Sequence, residues 1–215
     1  MSRLNVDKIT GATGTASGAP ITLSGDTATL GSSVTVPASI GASLVLLNTT
    51  TISTAVTAVS FDNTLITTTY NAYKIVLQGL SSQADDFDAE AEFSNNNGTS
   101  SITFKSSYSY IKLNGSGQGW VHNQDNHFIA ADAEGVDADS GISGVVEVII
   151  NPDNDSVDVH TSGWATTKNQ NGDTYGYLTR GISTSESSSR INHIKITDVN
   201  SNFDVGKISL YGYKL

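Results

Sequence analysis

The sequence predicts an all-β protein, and three observations carry that prediction. No 12-residue window places apolar residues at i, i+3, i+4 and i+7, so amphipathic helices have no template. Ser, Thr, Gly, Asn, Val and Ile dominate, a composition that favours strands and turns over helix interiors. Short strand-like runs recur between clusters of turn residues from Leu44 to the C-terminus.

The runs follow in order. SLVLLN (43–48), TISTAVTAVSF (51–61) and NAYKIVLQGL (71–80) are apolar and β-branched. FDAEAEF (87–93) alternates most cleanly, with Phe87, Ala89, Ala91 and Phe93 on one side and Asp88, Glu90 and Glu92 on the other, which predicts one dry and one wet face. SSYSYIKL (106–113), NHFIAAD (126–132), GVVEVII (144–150), SVDVHTSGW (156–164), TYGYLTRGI (174–182), INHIKITDV (191–199) and KISLYGYKL (207–215) complete the series. The separators NNNG (95–98), NGSGQG (114–119), NPDND (151–155) and NQNGD (169–173) supply Asn, Gly, Asp and Pro where a turn needs a positive or fixed φ. Many closely spaced strands without helical crossovers predict an antiparallel β-sandwich of jelly-roll type over residues 42–215. Phe61, Tyr73, Phe104, Tyr211 and Tyr213 fall on strand patterns and are expected to pack.

Residues 1–41 read differently. TGATGTASGAP (10–20) is linker-like, and APITLSGDTATLGSSVTVP (19–37) has strands of three or four residues with few apolar side chains. Burying Ile21, Leu23, Leu30, Val34 and Val36 cannot offset the entropy of ordering the stretch, so it requires partners. Intertwining with sister copies is the preferred solution, with packing on its own sandwich or disorder as the alternatives. This makes 1–41 an attachment and trimerisation segment whose candidate contacts are Leu4, Val6, Ile9, Ile21, Leu23, Leu30, Val34 and Val36.

Composition narrows the function. Eleven Lys and Arg against 21 Asp and Glu give a net charge of −10, and the basic residues are scattered, which disfavours nucleic acid as a partner. With no cysteine there is no disulfide, thiolate metal site or thiol nucleophile. The N-terminus lacks the apolar run of a secretory signal and no window approaches a membrane span, so a soluble chain made in a cytoplasm is expected, without membrane insertion. GTASG (14–18) and GASL (41–44) do not form the nucleophile elbow, GSGQG (115–119) lacks phosphate-loop spacing, and no enzyme activity or cofactor is expected. The acidic stretches ADDFD (84–88) and DAEGVDADS (132–140) read as solvated loops before they read as calcium ligands or a glycosidase pair. In HNQDNH, His122 and His127 flank Asp125, but a polar loop is the simpler reading, and no metal is expected.

Aromatic residues are the better binding candidates. Trp120 and Trp164 stand beside glycines in polar surroundings, and Tyr175 and Tyr177 adjoin the NQNGD turn, so loops 114–127 and 164–177 could stack on a sugar while Asn, Asp and Gln take its hydroxyls. The competing reading places these rings at the ends of the core or in a subunit interface.

Taken in order, LNVDKITGATG…GAPITLSGDTATLGSSVTVP, VSFDNTLITTTYNAYKIVLQGL (59–80), EFSNNNGTSS (92–101), YSYI (108–111), GVVEVIINPDNDS (144–156) and INHIKITDVNSNFDVGKISLYGYKL (191–215) resemble short tail-fibre and virion-appendage proteins of tailed bacteriophages. The resemblance covers most of the chain, least between about 115 and 140, and rests on patterned residues without a catalytic fingerprint. It implies an architectural or adhesive homotrimer on the virion, with the N-terminal part attached to other tail or capsid proteins and the sandwich facing outward, where the aromatic loops make a cell-surface glycan the candidate partner. Some such trimers hold metal through histidines, usually as H-x-H, which does not occur here, and the extended repetitive shaft of long fibres is also missing. A capsid-decorating or head-fibre role and a stand-alone carbohydrate-binding module are the alternatives.

Overall fold

The computed structural model describes residues 8–9, 21–24, 27–30, 44–84, 87–133, 141–151, 159–168, 172–184 and 189–213. Among them no helix occurs and all regular structure is antiparallel strand. The chain divides into two compact units, Met1–Ala42 and Ser43–Leu215.

In the first unit, β1 (Lys8–Ile9), β2 (Ile21–Ser24) and β3 (Thr27–Leu30) form a three-stranded sheet in that order. Its register makes Ile9 and Leu30 the cross-strand partners of Ile21 and sets Leu23 opposite Ala28. Leu4, Val6, Val34 and Val36 lie outside the described residues.

The second unit is a β-sandwich of unequal sheets. Its strands are β4 (Leu44–Ile52), β5 (Ala58–Phe61), β6 (Ala72–Ser82), β7 (Phe87–Ser94), β8 (Phe104–Lys112), β9 (Gln118–Gln124), β10 (His127–Ala133), β11 (Ile142–Ile150), β12 (Val159–Lys168), β13 (Thr174–Ser183), β14 (His193–Asp198) and β15 (Phe203–Tyr213). Eight form one sheet in the order β4-β15-β6-β11-β12-β13-β8-β9, and four form the other in the order β10-β7-β14-β5.

Alternation in β7 places Phe87, Ala89, Ala91 and Phe93 in the core, each 0 or 1% exposed. Register then extends that dry side across the small sheet, because Phe93 faces Ile194, which faces Phe61, and Ala91 faces Ile196, which faces Val59. The large sheet answers with Tyr73, Ile75, Leu77, Val146, Val148, Ile150, Ile208 and Leu210, all buried. Aromatic pairs bind the two sheets where the aliphatics thin out: Tyr108 stacks on Phe128 at 3.9 Å between centroids, Phe93 meets Phe104 at 5.0 Å, and Phe87 meets Phe203 edge-on at 6.4 Å.

Several strands depart from the sequence reading. Thr49 and Thr50 continue β4 instead of separating two strands, because the edge pairs with β15 through a bulge at Leu210/Tyr211. The segment 118–124, read as loop, is the edge strand β9. Tyr211 and Tyr213 are half-buried on the outer side of β15 while Ile208 and Leu210 fill the core. All of NPDND but Asn151, and most of DAEGVDADS, lie outside the described residues, as do Asp85 and Asp86.

A second bulge sits at Gly79 (φ 56°), where both neighbours of β6 shift register: β11 between Ile142 and Gly144, and β15 between Val205 and Lys207. Gly206 crosses there at φ 131°, and a Cβ on it would stand 2.7 Å from the Gly79 carbonyl oxygen. Gly206→Ala is therefore expected to cost on the order of 2 kcal/mol, read as a lower urea midpoint at unchanged m-value.

Several buried polar groups are paired in specific ways, although Arg190 Nε has no partner among the described residues. Arg190 has no carboxylate partner among the described residues; Nη1 donates to Asn71 Oδ1 at 3.0 Å, and Nη2 donates to the carbonyls of Thr67, at 3.3 Å, and Tyr70, which ties the 67–71 turn to the body. Ser82 donates to Asp198 at 2.5 Å, and Asp198 also accepts from the backbone N–H of Asn200 and Ser201. His127, fully buried between the sheets, spans Thr161 Oγ1 (2.6 Å to Nδ1) and Thr179 Oγ1 (3.2 Å to Nε2). Burial pushes its pKa down to about 3.

The sign of the resulting pH dependence follows. An unfolded histidine titrates near 6.5, so above that pH both states are neutral at this position; below it the unfolded chain gains a proton that the folded chain refuses. Stability is expected to fall by about 1.4 kcal/mol per pH unit on this account as pH drops from 6.5 towards 3. Urea midpoints of the full chain at pH 7, 6 and 5, compared with those of His127→Gln, isolate the effect; parallel curves for the two proteins would refute it.

Candidate functional site

The outer face of the large sheet carries the apolar groups that the core does not use. Strand alternation that sends Thr161, Ala165 and Thr167 of β12 inward sends Ser162, Trp164 and Thr166 outward. On β13 it sends Tyr177 and Thr179 inward and Leu178, Arg180 and Ile182 outward. Register aligns the outward positions into rows across the strands.

One row runs Trp120–Ser109–Leu178–Trp164–Val145–Val76, across β9, β8, β13, β12, β11 and β6. Trp120 is 69% exposed, Leu178 66% and Trp164 52%, which makes this an aromatic and aliphatic surface left uncovered by the other described residues. The adjacent row runs His122–Ser107–Arg180–Ser162–Glu147–Lys74. With strands about 4.8 Å apart, the two tryptophans stand three intervals, roughly 14 Å, from each other. Small neighbours, chiefly Ser107, Ser109, Ser162 and Gly176, leave the rings proud of the surface.

Two shallow depressions lie along these rows. One of about 310 Å³ is lined by Lys74, Val145, Glu147, Ser162, Trp164 and Arg180, and one of about 240 Å³ by Ser107, Ser109, Trp120, His122, Leu178 and Arg180. Leu178 and Arg180 border both. His122 lies against Trp120, with ring centroids 6.2 Å apart and planes at 25°.

Charge on this face runs opposite to the composition. Across β6, β11, β12, β13 and β8, the outward cations are Lys74, Lys168, Arg180 and Lys105, and the one outward carboxylate is Glu147. Glu147 stands opposite Lys74 in register and accepts a hydrogen bond from Tyr213 Oη at 3.1 Å. That contact, after burial, holds the Tyr213 phenol above its ordinary pKa. Lys105 is ion-paired with Asp125. Arg180 makes no hydrogen bond or ion pair with a described residue. Among the described residues of these strands the chemistry offered is apolar stacking, hydroxyl pairing and the unpaired Arg180 guanidinium.

The four aromatic candidates divide. Trp120 and Trp164 share the outer row, but on strands β9 and β12 and not on loops. Tyr177 is 4% exposed and belongs to the core, where it packs among Tyr108, Tyr110, Phe128 and Tyr175. Tyr175 lies on the same inward side, half-buried. Leu178 and Arg180 complete the face and were not among the candidates; the alternation of YLTRGI, with Leu178, Arg180 and Ile182 opposite Tyr177 and Thr179, is the signal that marks them. The HNQDNH group is not brought together: His127 turns into the core, His122 joins Trp120, and Asp125 pairs with Lys105. Among the described residues no cluster of three or more His, Asp or Glu side chains could hold a metal. Of the N-terminal candidates, Ile9, Ile21, Leu23 and Leu30 fall on strands β1 to β3.

Comparison with protein families, with curated proteins and with solved structures returns no match to this chain.

Both tryptophans of the chain lie on this face, so intrinsic fluorescence reports it alone. Emission of the dilute protein is expected at long wavelength and fully open to acrylamide, and Trp164→Ala is expected to change stability by no more than about 0.5 kcal/mol. Blue-shifted, acrylamide-protected emission would mean that the face is covered in solution.

Proposed function

We propose that this chain is a non-enzymatic adhesive protein of a tailed-bacteriophage virion, a short trimeric tail fibre or appendage that meets the host surface through its sandwich unit. The observation that carries the adhesive part is the exposed Trp120–Leu178–Trp164 row, a flat apolar platform that contributes nothing to the core of its own chain. The virion setting rests on the resemblance of the ordered sequence segments to appendage proteins. Within this reading the sandwich is of jelly-roll type, supported by successive strands β4 to β8 alternating between the two sheets. The trimer is supported by the size of the N-terminal sheet: three strands of two to four residues bury too little to stand alone and need sister copies. Threefold repetition then multiplies a weak contact on a cell surface.

A capsid-decorating or head-fibre position uses the same assembly and the same face. The aromatic platform also favours a second reading, a carbohydrate-binding module that acts as a monomer.

Light scattering separates these readings. The full chain is expected to be trimeric and a chain of residues 44–215 monomeric or far weaker in association. An antibody to the sandwich unit is expected to decorate the virion in electron micrographs, at the tail for a fibre and at the head for a decoration protein. A monomeric full chain that still binds glycans would favour the module.

A further inference from the structure

We propose that the outer face of the large sheet binds an acidic oligosaccharide laid across β9, β8, β13 and β12. Its sugar rings rest on the Trp120–Leu178–Trp164 row and its carboxylate is held by Arg180. This deepens the adhesive reading above and rests on it.

Four features converge on that occupant. First, sign: in a chain of net charge −10, the central strands of this sheet turn four cations and one carboxylate outward, and even with Lys105 neutralised by Asp125 a local positive excess remains that draws an anion to this face. Second, availability: Lys105 is paired with Asp125, and Lys74 stands opposite Glu147, whereas Arg180 is flanked by Ser107 and Ser162 across the strands and by Leu178 and Ile182 along its own. Its planar guanidinium is free to take a carboxylate through two parallel N–H···O bonds.

Third, shape: Arg180 and Leu178 border both depressions, one beside Trp164 and one beside Trp120, so a single elongated ligand can occupy both while passing the guanidinium. The roughly 14 Å between the tryptophans suits a chain of several rings better than one sugar. Fourth, hydroxyl chemistry: Ser107, Ser109 and Ser162 lie between the rings and the cation and can both donate to and accept from sugar hydroxyls. A second copy of the chain fits less well, because a twofold face-to-face contact would bring the same cations against one another.

The test titrates the full chain with trigalacturonate and, separately, with neutral galactotriose, following tryptophan emission. Trigalacturonate is expected to shift the emission and to bind more weakly as salt rises. Arg180→Gln is expected to weaken it about tenfold or more while weakening galactotriose far less. Trp164→Ala is expected to weaken both sugars, and Lys74→Gln to weaken trigalacturonate less than Arg180→Gln does. All three positions are surface positions outside the core, so the variants should fold, which far-ultraviolet circular dichroism checks.

Equal binding of the two sugars, indifferent to Arg180→Gln, overturns the acidic specificity and leaves the adhesive reading standing. No response to either sugar overturns the proposal; self-association that Trp164→Arg abolishes then identifies a second copy as the occupant. The adhesive reading itself fails separately, if the antibody finds no virion protein and the full chain binds neither cell surface nor glycan.

Discussion

Period-two alternation on an eight-stranded sheet with a four-stranded partner is the constraint from which the rest follows. Each strand of the large sheet must turn one side to the core, and that side is filled by residues such as Ile75, Val146, Val148 and Ile208. Among the described residues nothing is packed on the other side. Within them the outer face has no packing duty, and the side chains there answer to solvent or to a partner. A row of Trp120, Leu178 and Trp164 on such a face cannot be explained by the fold, since polar residues there would serve the sandwich equally well.

The sequence revealed alternation where one side was strongly apolar and the other strongly charged. In β7, Phe-Ala-Ala-Phe against Asp-Glu-Glu could be read in one direction only, and the fold obeys it. β9 was illegible because neither side is a core face in composition: Gly119 and Val121 oppose Gln118, Trp120 and His122, and an edge strand with one neighbour needs little apolar area. The tyrosines misled for a related reason. Proximity of Tyr175 and Tyr177 to a turn suggested exposure, whereas Tyr177 sits on the parity of Thr179 and Ser183, which face inward. Position on the pleat, not distance from a loop, decided the outcome.

Net charge misled in a subtler way. The excess of Asp and Glu was read as a property of the whole surface, yet charge is segregated by face. Asp88, Glu90 and Glu92 project from the outer side of the small sheet, where Glu92 pairs with Lys195 at 2.8 Å, and burial, with the charges of Glu92 and Asp125 behind it, raises the pKa of Glu90. On the outer side of β6, β11, β12 and β13 the large sheet presents Lys74, Lys168 and Arg180 against Glu147 alone. Only the register, which brings residues from five separated segments into adjacent columns, makes this local sign visible, and no windowed reading of the chain could assemble it.

Interior and surface are coupled through two strands. Thr161 and Thr179, which hold the two ring nitrogens of His127, are each one residue from an outward side chain of the site, Ser162 and Arg180. The same imidazole sits on β10 of the small sheet and so ties both β12 and β13 to the opposite layer. A hydrophobic residue in its place could fill the volume but would leave two buried hydroxyls without partners and would tolerate sliding between the sheets. The neutral histidine, satisfied at both nitrogens, fixes the position of the strands that carry Trp164, Leu178 and Arg180. A platform that binds by flat stacking loses contact if its strands shift by a fraction of the pleat, so this buried polar bridge serves the exposed face that it never touches.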